Sequence, residues 1–366
     1  MVLVTQAPSG FRIDNMRIVV RFIVFLGLFS SLSSFVQPNE KSKLIQNLGK
    51  DTQINSLLIT NDNLFLANLK GELLQYKFNK GKYCIEHLYK LNSTIIGKPV
   101  IGRNDLTIVA GDYSLFCFTK NGKLKWKTGF PGLIKSELIY SDDKIFVDSR
   151  GAGIYCLNVS NGEIIWRYLS DAGTIGGMSI QNHRLIVSDL GHRLLCLNSI
   201  TGNVIWKKEI SDYFFSAPQI AEGFLISNFY NTINPHLSFL GIFDINNGKQ
   251  LLKKNELVNA RYKPLLLSSG VVFGTEDSKI IKIEPKTGKK LWQFVLPEAD
   301  VIGNSLFSTD NNNAICLTGI NRVFYKINAL NGQLVFKEKF DYGLSELFNS
   351  RGKILFLTGD GNLYVN

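Results

Sequence analysis

Four histidines, five cysteines and thirty acidic residues are the side chains of this 366-residue sequence that would do acid–base, nucleophilic or metal chemistry. None is arranged for it. His87, His183, His192 and His236 form no pair with metal-ligand spacing. His183-Arg184 and His192-Arg193 each set a guanidinium beside an imidazole, which repels a metal ion. Cys84, Cys117, Cys156, Cys196 and Cys316 contain no Cys-x-x-Cys, and an odd number argues against a disulfide framework. No Gly-x-Ser-x-Gly elbow and no phosphate loop occurs. The carboxylates concentrate in turns, as at Asp142-Asp143, Glu163 and Asp277, and Asp189-Leu-Gly191 and Asp360-Gly361 read as turn chemistry too. No catalytic residue, cofactor site or metal site is therefore expected. Asn92-Ser-Thr94 and Asn158-Val-Ser160 match the glycosylation acceptor, which has meaning only in a eukaryotic secretory pathway.

The pattern that does recur is structural. Gly151 to Trp166 reads as two short strands about Asn161-Gly162, a pair that predicts a tight primed turn with positive φ at both positions. Aligned on the turn glycine, the unit returns at Gly81, Gly122, Gly162, Gly202, Gly248, Gly288 and Gly332, at intervals of 41, 40, 40, 46, 40 and 44. Units this small cannot bury their own apolar faces, so neighbours must stack, and a period near forty with several strands per unit predicts a β-propeller. Trp126, Trp166, Trp206 and Trp292 share one slot, filled by Leu252 and Phe336 in two other units. A flat side chain there is expected to wedge between adjacent blades. Cys117, Cys156 and Cys196 share another slot and read as small buried hydrophobes.

Each full unit holds an inner strand, a second strand and the two strands of the repeated hairpin. Inner strands fall near Ser56, Pro99, Glu137, Met178, Pro218, Pro264, Ser305 and Glu346, which makes eight blades. The last unit has only three strands, Leu344–Asn349, Lys353–Thr358 and Asn362–Val365. Leu44–Leu48 is expected to supply the fourth and close the ring, removing exposed edges. The fold class is all-β: an eight-bladed propeller of four-stranded antiparallel blades, with an N-terminal strand completing the last blade. Insertions are expected at 229–238 and around Asp310-Asn-Asn-Asn313.

Composition agrees, with 45% hydrophobic and 19% charged residues. Length alone suggests more than one domain, but the repeat spans the chain, so 37–366 is expected to be a single propeller domain. Residues 1–36 carry Arg17 and Arg21, the apolar run Phe22 to Phe29 and Ser30-Ser-Leu-Ser-Ser34. That order is a Sec-type signal peptide, with Met16 a candidate start and cleavage near Ser33 or Ser34; left uncleaved it would act as an anchor. The net charge of +11 is spread along strands and turns without a basic cluster interleaved with aromatics, which gives a nucleic-acid reader no motif and fits a solvated surface or, as the alternative, attraction to anionic lipid or another acidic surface.

Units such as Ile154-Tyr-Cys-Leu-Asn158 and Leu194-Leu-Cys-Leu-Asn198, with Thr201-Gly202 and Ile205-Trp206, resemble the quinoprotein-type propeller repeat and its Leu-Tyr-Ala-Leu-Asp, Thr-Gly, Leu-Trp pattern. In length, layout and the closing Arg351 to Tyr364 segment, the chain resembles the BamB-type subunits of the bacterial outer-membrane β-barrel assembly machinery. That resemblance implies an exported, non-enzymatic, monomeric scaffold of the periplasm or cell envelope, held at the outer membrane by its partner or by the N-terminal segment. It would dock accessory domains of an outer-membrane barrel assembly protein through inter-blade loops, and could hold unfolded outer-membrane proteins by strand addition. Ile210 to Pro218 resembles the family's partner loop through Ser216-Ala217-Pro218, but places Tyr213, Phe214 and Phe215 where the family has leucines and an arginine. The next inter-blade loop, Glu256 to Arg261, supplies Glu256 and Asn259 where the family has aspartates. The lipid-attachment cysteine of the family is missing. Two rival functions remain: a quinone-dependent dehydrogenase, whose adjacent cysteines and calcium ligands are missing here, and a ligand- or carbohydrate-binding sensor with an aromatic axial pocket.

Overall fold

The structure is a computed structural model. It describes residues 41–366 apart from 49–53, 60–62, 69, 81, 92, 135–136, 171–173, 190, 211–213, 216, 222, 232–233, 235–236, 257, 259–262, 304–306, 309–313, 345–346 and 351–352. The expected signal peptide lies outside the described residues, as do Gly81, Ser305, Glu346 and the Asp310 to Asn313 insertion.

Lys41 to Asn366 forms eight antiparallel sheets. Blade 3 shows the plan, running Ile139–Ser141, Lys144–Ser149, Gly153–Asn158 and Ile164–Tyr168 in simple meander order. Seven blades are four-stranded. In blade 5 two short strands, Phe214–Phe215 and Gln219–Ala221, both pair with Phe224–Tyr230, ahead of Phe239–Asp244 and Gln250–Asn255. Each innermost strand packs on the innermost strand of the next blade, and Phe348–Ser350 of blade 8 packs on Ile54–Ile59 of blade 1. The ring is therefore closed. Lys43–Asn47 pairs with Asn362–Val365 and supplies the fourth strand of blade 8. Gln46 stitches this strand onward to blade 1: its amide donates to Tyr83 O (2.9 Å) and accepts from Tyr83 N–H (2.8 Å).

Burial explains the residue choices. Second strands are sandwiched between two neighbouring sheets, so Asn63–Asn68, Lys144–Ser149 and Gly270–Gly274 read as nearly continuous buried runs. Fourth strands face water and alternate, as in Leu124–Gly129. Among the described residues the buried apolar side chains fall into eight clusters, one at each blade-to-blade interface. The core is a ring of wedges rather than a central mass. Pro99 sits in the inner strand Ile96–Ile101, whose channel-side edge needs no ladder donor.

The repeated turn differs from the expected two-residue primed turn. Gly162 has φ +74, but Asn161 does not have positive φ. Asn158 O accepts from Gly162 N–H (2.9 Å), and Asn158 N–H donates to Glu163 O (2.9 Å), making a wider loop. The reason is the Asn158 side chain, whose Oδ1 accepts from Ser160 N–H (2.8 Å) and organises the turn from its first residue. Asn198 and Asp244 do the same for Ile200 N–H (2.9 Å) and Asn246 N–H (2.7 Å). A β-bulge follows each turn. Cys156 faces Trp166, yet Leu157 faces Ile164, so Ile165 is extra. That leaves Ile164 and Ile165 both exposed and turns Trp166 inward.

Candidate partner-docking face

Strand order fixes which loops share a rim. Inner strands begin, second strands end, third strands begin and fourth strands end on one side of the ring. In blade 5 this rim gathers the incoming loop before Phe214, the loop 231–238 and the outgoing loop after Asn255. These are the two inter-blade loops singled out in the sequence plus the insertion, which begins at Asn231 because Phe229 and Tyr230 continue the second strand.

Phe214 pairs with Tyr230, and Phe215 with Phe229. The row continues from Phe229 to Phe239 and from Phe239 to Asn255. Phe229 and Phe239 are buried and stacked, with ring centroids 4.7 Å apart, and the Lys253 ammonium lies 4.5 Å from the Phe239 ring. Tyr213 lies outside the described residues. Beyond it, Ala217 packs so closely on blade 4 that it leaves no room for a side chain at Gly177: a Cβ there would sit 2.8 Å from Ala217 Cα. Ser179 Oγ also donates to Pro218 O. The incoming loop is thus clamped to the blade before it.

On the outgoing side Glu256 is half-buried, with Oε1 3.9 Å from Lys254 Nζ. Its carbonyl accepts from Val258 N–H (2.7 Å), and buried Val258 bridges to Thr275 of blade 6. Asn259 lies outside the described residues. Between the two loops, buried Asn231 accepts through Oδ1 from Asn234 N–H (2.9 Å), and Leu237 is exposed beside them.

The four tryptophans lie far from this face in the sheets. Trp126 Nε1 donates to Val159 O (3.0 Å), Trp166 to Ser199 O (3.0 Å), Trp206 to Ile245 O (2.8 Å) and Trp292 to Ala329 O (3.2 Å). Every acceptor belongs to the next blade. Each ring also lies flat on the next blade's turn glycine: a Cβ on Gly162, Gly202, Gly248 or Gly332 would come within 2.6 to 2.8 Å of the indole.

The remaining reactive groups are paired, buried or held in turns. Asp189 is buried against Arg193 (2.6 Å) and Asp300 accepts from the Tyr325 hydroxyl (2.9 Å), both bracing inter-blade loops. Cys117, Cys156, Cys196 and Cys316 are buried, and burial pushes the Cys156 and Cys316 thiols up to about 12. His183 and His192 occupy left-handed turn positions, and His236 lies outside the described residues. Among the described residues no three His, Cys, Asp or Glu side chains come together as metal ligands. The sequence reading missed Lys282, which takes the Cys156 slot in blade 6 opposite Trp292. It is 2% exposed, and its ammonium donates to Ser269 Oγ and to Ala329 O, both at 2.7 Å. Burial holds its pKa below the usual lysine value.

Comparison with known proteins identifies the lineage. A family profile described as outer membrane protein assembly factor BamB matches residues 51–168 and 169–319. No curated protein matches the sequence. Among solved structures, BamB from Moraxella catarrhalis superposes with a TM-score of 0.72 at 16% identity, covering 89% of this chain and 99% of that one. The computationally designed Ika8 protein gives 0.73 at 13% identity, with coverage of 89% and 99%. The C-terminal WD40 domain of Sif2 gives 0.71 at 11%, with coverage of 89% and 98%. Such low identities establish the propeller fold, whereas the profile, spanning well over half of the sequence, establishes descent: the chain belongs to the BamB family of outer membrane protein assembly factors.

Proposed function

We propose that the protein is an exported, non-enzymatic scaffold of outer-membrane protein assembly, resident in the periplasm or cell envelope. It works as a monomer within a complex, docking an accessory domain of a barrel-inserting partner on the blade 5 rim. The observation that carries this reading is the placement of two loops on one rim of one blade, in a chain whose family is known. The profile match gives the family, and the two loops that resemble the family's contact loops open and close blade 5 on the same side of the ring. The Tyr213-Phe214-Phe215 run supplies aromatic anchors of the kind that dominate binding energy, and Glu256 with Asn259 supplies the polar edge. The outer edges of the fourth strands offer a secondary mode, strand addition by nascent β-segments.

Crosslinked capture from envelope fractions tests the proposal. Recovery of an outer-membrane barrel assembly protein, lost in a Tyr213→Ser, Phe214→Ser double variant that still folds, is the expected result. Recovery of a redox partner in its place, or capture unaffected by the substitutions, would overturn it.

A further inference from the structure

The hairpins that join third to fourth strands lie on the rim opposite the docking face, and blade 1 breaks their pattern. In blades 2 to 7 a single residue pair extends the ladder beyond the bulge, as Leu157 with Ile164 does in blade 3. In blade 1 the ladder runs on from Tyr76–Ile85 through Lys77–Cys84 and Phe78–Tyr83 to Asn79–Lys82. The added rungs lengthen this hairpin by about 10 Å. Lys77 stands where Asn158 organises the wider turn of blade 3, so the strands continue until only Lys80 and Gly81 remain to join them, with Lys80 at φ +48. Gln46 of the seam strand holds both backbone groups of Tyr83, which braces the hairpin from the side. Phe78 meets Tyr83 edge-on, with ring centroids 5.1 Å apart, yet stays 48% exposed. Ile85 on the same hairpin and Leu44 on the seam strand are also exposed.

The charge around this tip has one sign. Blades 8, 1 and 2 are neighbours in the ring. In residues 41–45 of the seam, 79–83 of blade 1 and 119–124 of blade 2, every charged side chain is a lysine: Lys41, Lys43, Lys80, Lys82, Lys120 and Lys123, all exposed. Two carboxylates at the margin are engaged. Glu86 Oε1 lies 3.5 Å from Lys77 Nζ, and Glu338 Oε2 accepts from Ser42 N–H (2.9 Å). The corresponding turns of blades 3, 4 and 7, residues 160–163, 200–203 and 330–333, hold no lysine. Lys43 pairs with Val365, where the third strand of blade 8 ends, so the chain enters the domain on this rim and at this corner. Residues 1–40, with the apolar run Phe22 to Phe29, are joined to it there.

We propose that the corner made by the blade 1 hairpin, the blade 2 turn and the seam strand seats the protein on a bilayer surface that carries anionic lipid headgroups. Phe78 enters the headgroup layer, and the surrounding lysines lie against the lipid phosphates. An aromatic tip alone would suit a protein pocket equally well; the single sign of the charge and the entry point of the chain favour the membrane. The corner and the blade 5 face occupy opposite rims, so neither assignment depends on the other.

Co-sedimentation of the full chain with phosphatidylcholine vesicles, with and without about one-third phosphatidylglycerol, tests the proposal. Every variant keeps the same N-terminal segment, so that segment's own affinity cancels in each comparison. The parent should bind the anionic vesicles at least about tenfold more tightly than the neutral ones. Lys80→Ser with Lys82→Ser should weaken anionic binding by about tenfold to thirtyfold, and Phe78→Ser by about fivefold. Lys286→Ser with Lys289→Ser removes the same charge from the blade 6 turn, away from this arc, and should change binding by less than about twofold. Phe78→Trp should retain affinity and shift its emission to the blue with anionic vesicles only. Equal binding to both vesicle types, equal losses in the blade 6 control, or no spectral shift would overturn the proposal. So would blade 1 variants that keep vesicle binding but lose crosslinked capture of a protein, since the corner would then be a protein contact. Vesicle binding that persists when the blade 5 substitutions leave capture unaffected would uphold this surface while the docking assignment fails.

Discussion

Placing a methyl group at the Gly202 turn should expose the inter-blade latch energetically. Gly202→Ala meets two penalties. At φ +78 an L-residue is strained by about 1–2 kcal/mol. Its Cβ would also lie 2.8 Å from Trp166 Cδ2 and Cε3, an overpacking that costs about 1–3 kcal/mol because a buried indole cannot move aside. The expected total is about 3 kcal/mol. Gly288→Ala is the internal comparison. Its φ is +69, but its neighbour is Leu252, whose two Cδ atoms lie at 3.0 Å and can rotate, so only the backbone cost of about 1–2 kcal/mol should remain. Trp166→Leu copies blade 5 into blade 3. It removes the donor to Ser199 O and much of the wedge, for about 2–4 kcal/mol. In that background Gly202→Ala should cost about 1–2 kcal/mol, leaving a coupling of about 1–2 kcal/mol. Equilibrium urea unfolding followed by far-UV circular dichroism measures all four corners of the cycle. Additivity of the two substitutions to within about 0.5 kcal/mol would refute the latch argument.

The same geometry supports further expectations. A thiol reagent at pH 8 should modify one cysteine rapidly, Cys84, while the four buried thiols react only on unfolding. Since burial raises the folded Cys156 and Cys316 pKa from 9.0 to about 12, their contribution to stability is complete below about pH 9 and is lost as pH rises towards 12, which alkaline urea titrations would register. Glu137, whose Oε2 accepts from Lys263 Nζ at 2.7 Å, has the opposite sign. Its folded pKa lies below the ordinary 4.5, so its contribution is present above that value and is lost as pH falls through the folded pKa; the parent should lose more stability on acidification than Glu137→Gln. Lys282→Met should be neutral or stabilising by up to about 2 kcal/mol, because the variant no longer buries a charge and Ala329 O keeps Trp292 Nε1 as a donor.

How legible all this was in the residues depends on range. The turn glycines and the tryptophan slot repeat at near-constant spacing, so blade number, strand order and the three-stranded deficit of the last blade are countable from the sequence alone. The turn itself is not legible, because Asn161-Gly162 looks like a two-residue signal while the deciding group is the Asn158 amide three residues earlier. The bulge that admits Ile165 has no pattern of its own, since Ile164, Ile165 and Trp166 are all apolar. The blade 5 loops were picked out by resemblance, and the 46-residue interval to Gly248 marked the insertion, but its start was placed two residues early because Phe229 and Tyr230 extend a strand. The Glu137–Lys263 bridge joins residues 126 apart in sequence and had no local signal. Lys282 is hidden for a related reason: a lysine in a strand reads as solvent-facing, and it is Ser269 Oγ with the neighbouring blade's Ala329 carbonyl that makes its burial tolerable.

The pairing of Lys43–Asn47 with Asn362–Val365 has a bearing on biogenesis. The first-made strand of the domain cannot find its place until the last-made one has been synthesised. Until then seven complete sheets wait beside an unfinished eighth, and the nascent polypeptide must be shielded from its own copies. Deleting Lys43–Asn47 or Asn362–Val365 would leave the eighth sheet incomplete, so tags and truncations are safer inside the exposed rim turns than at the seam.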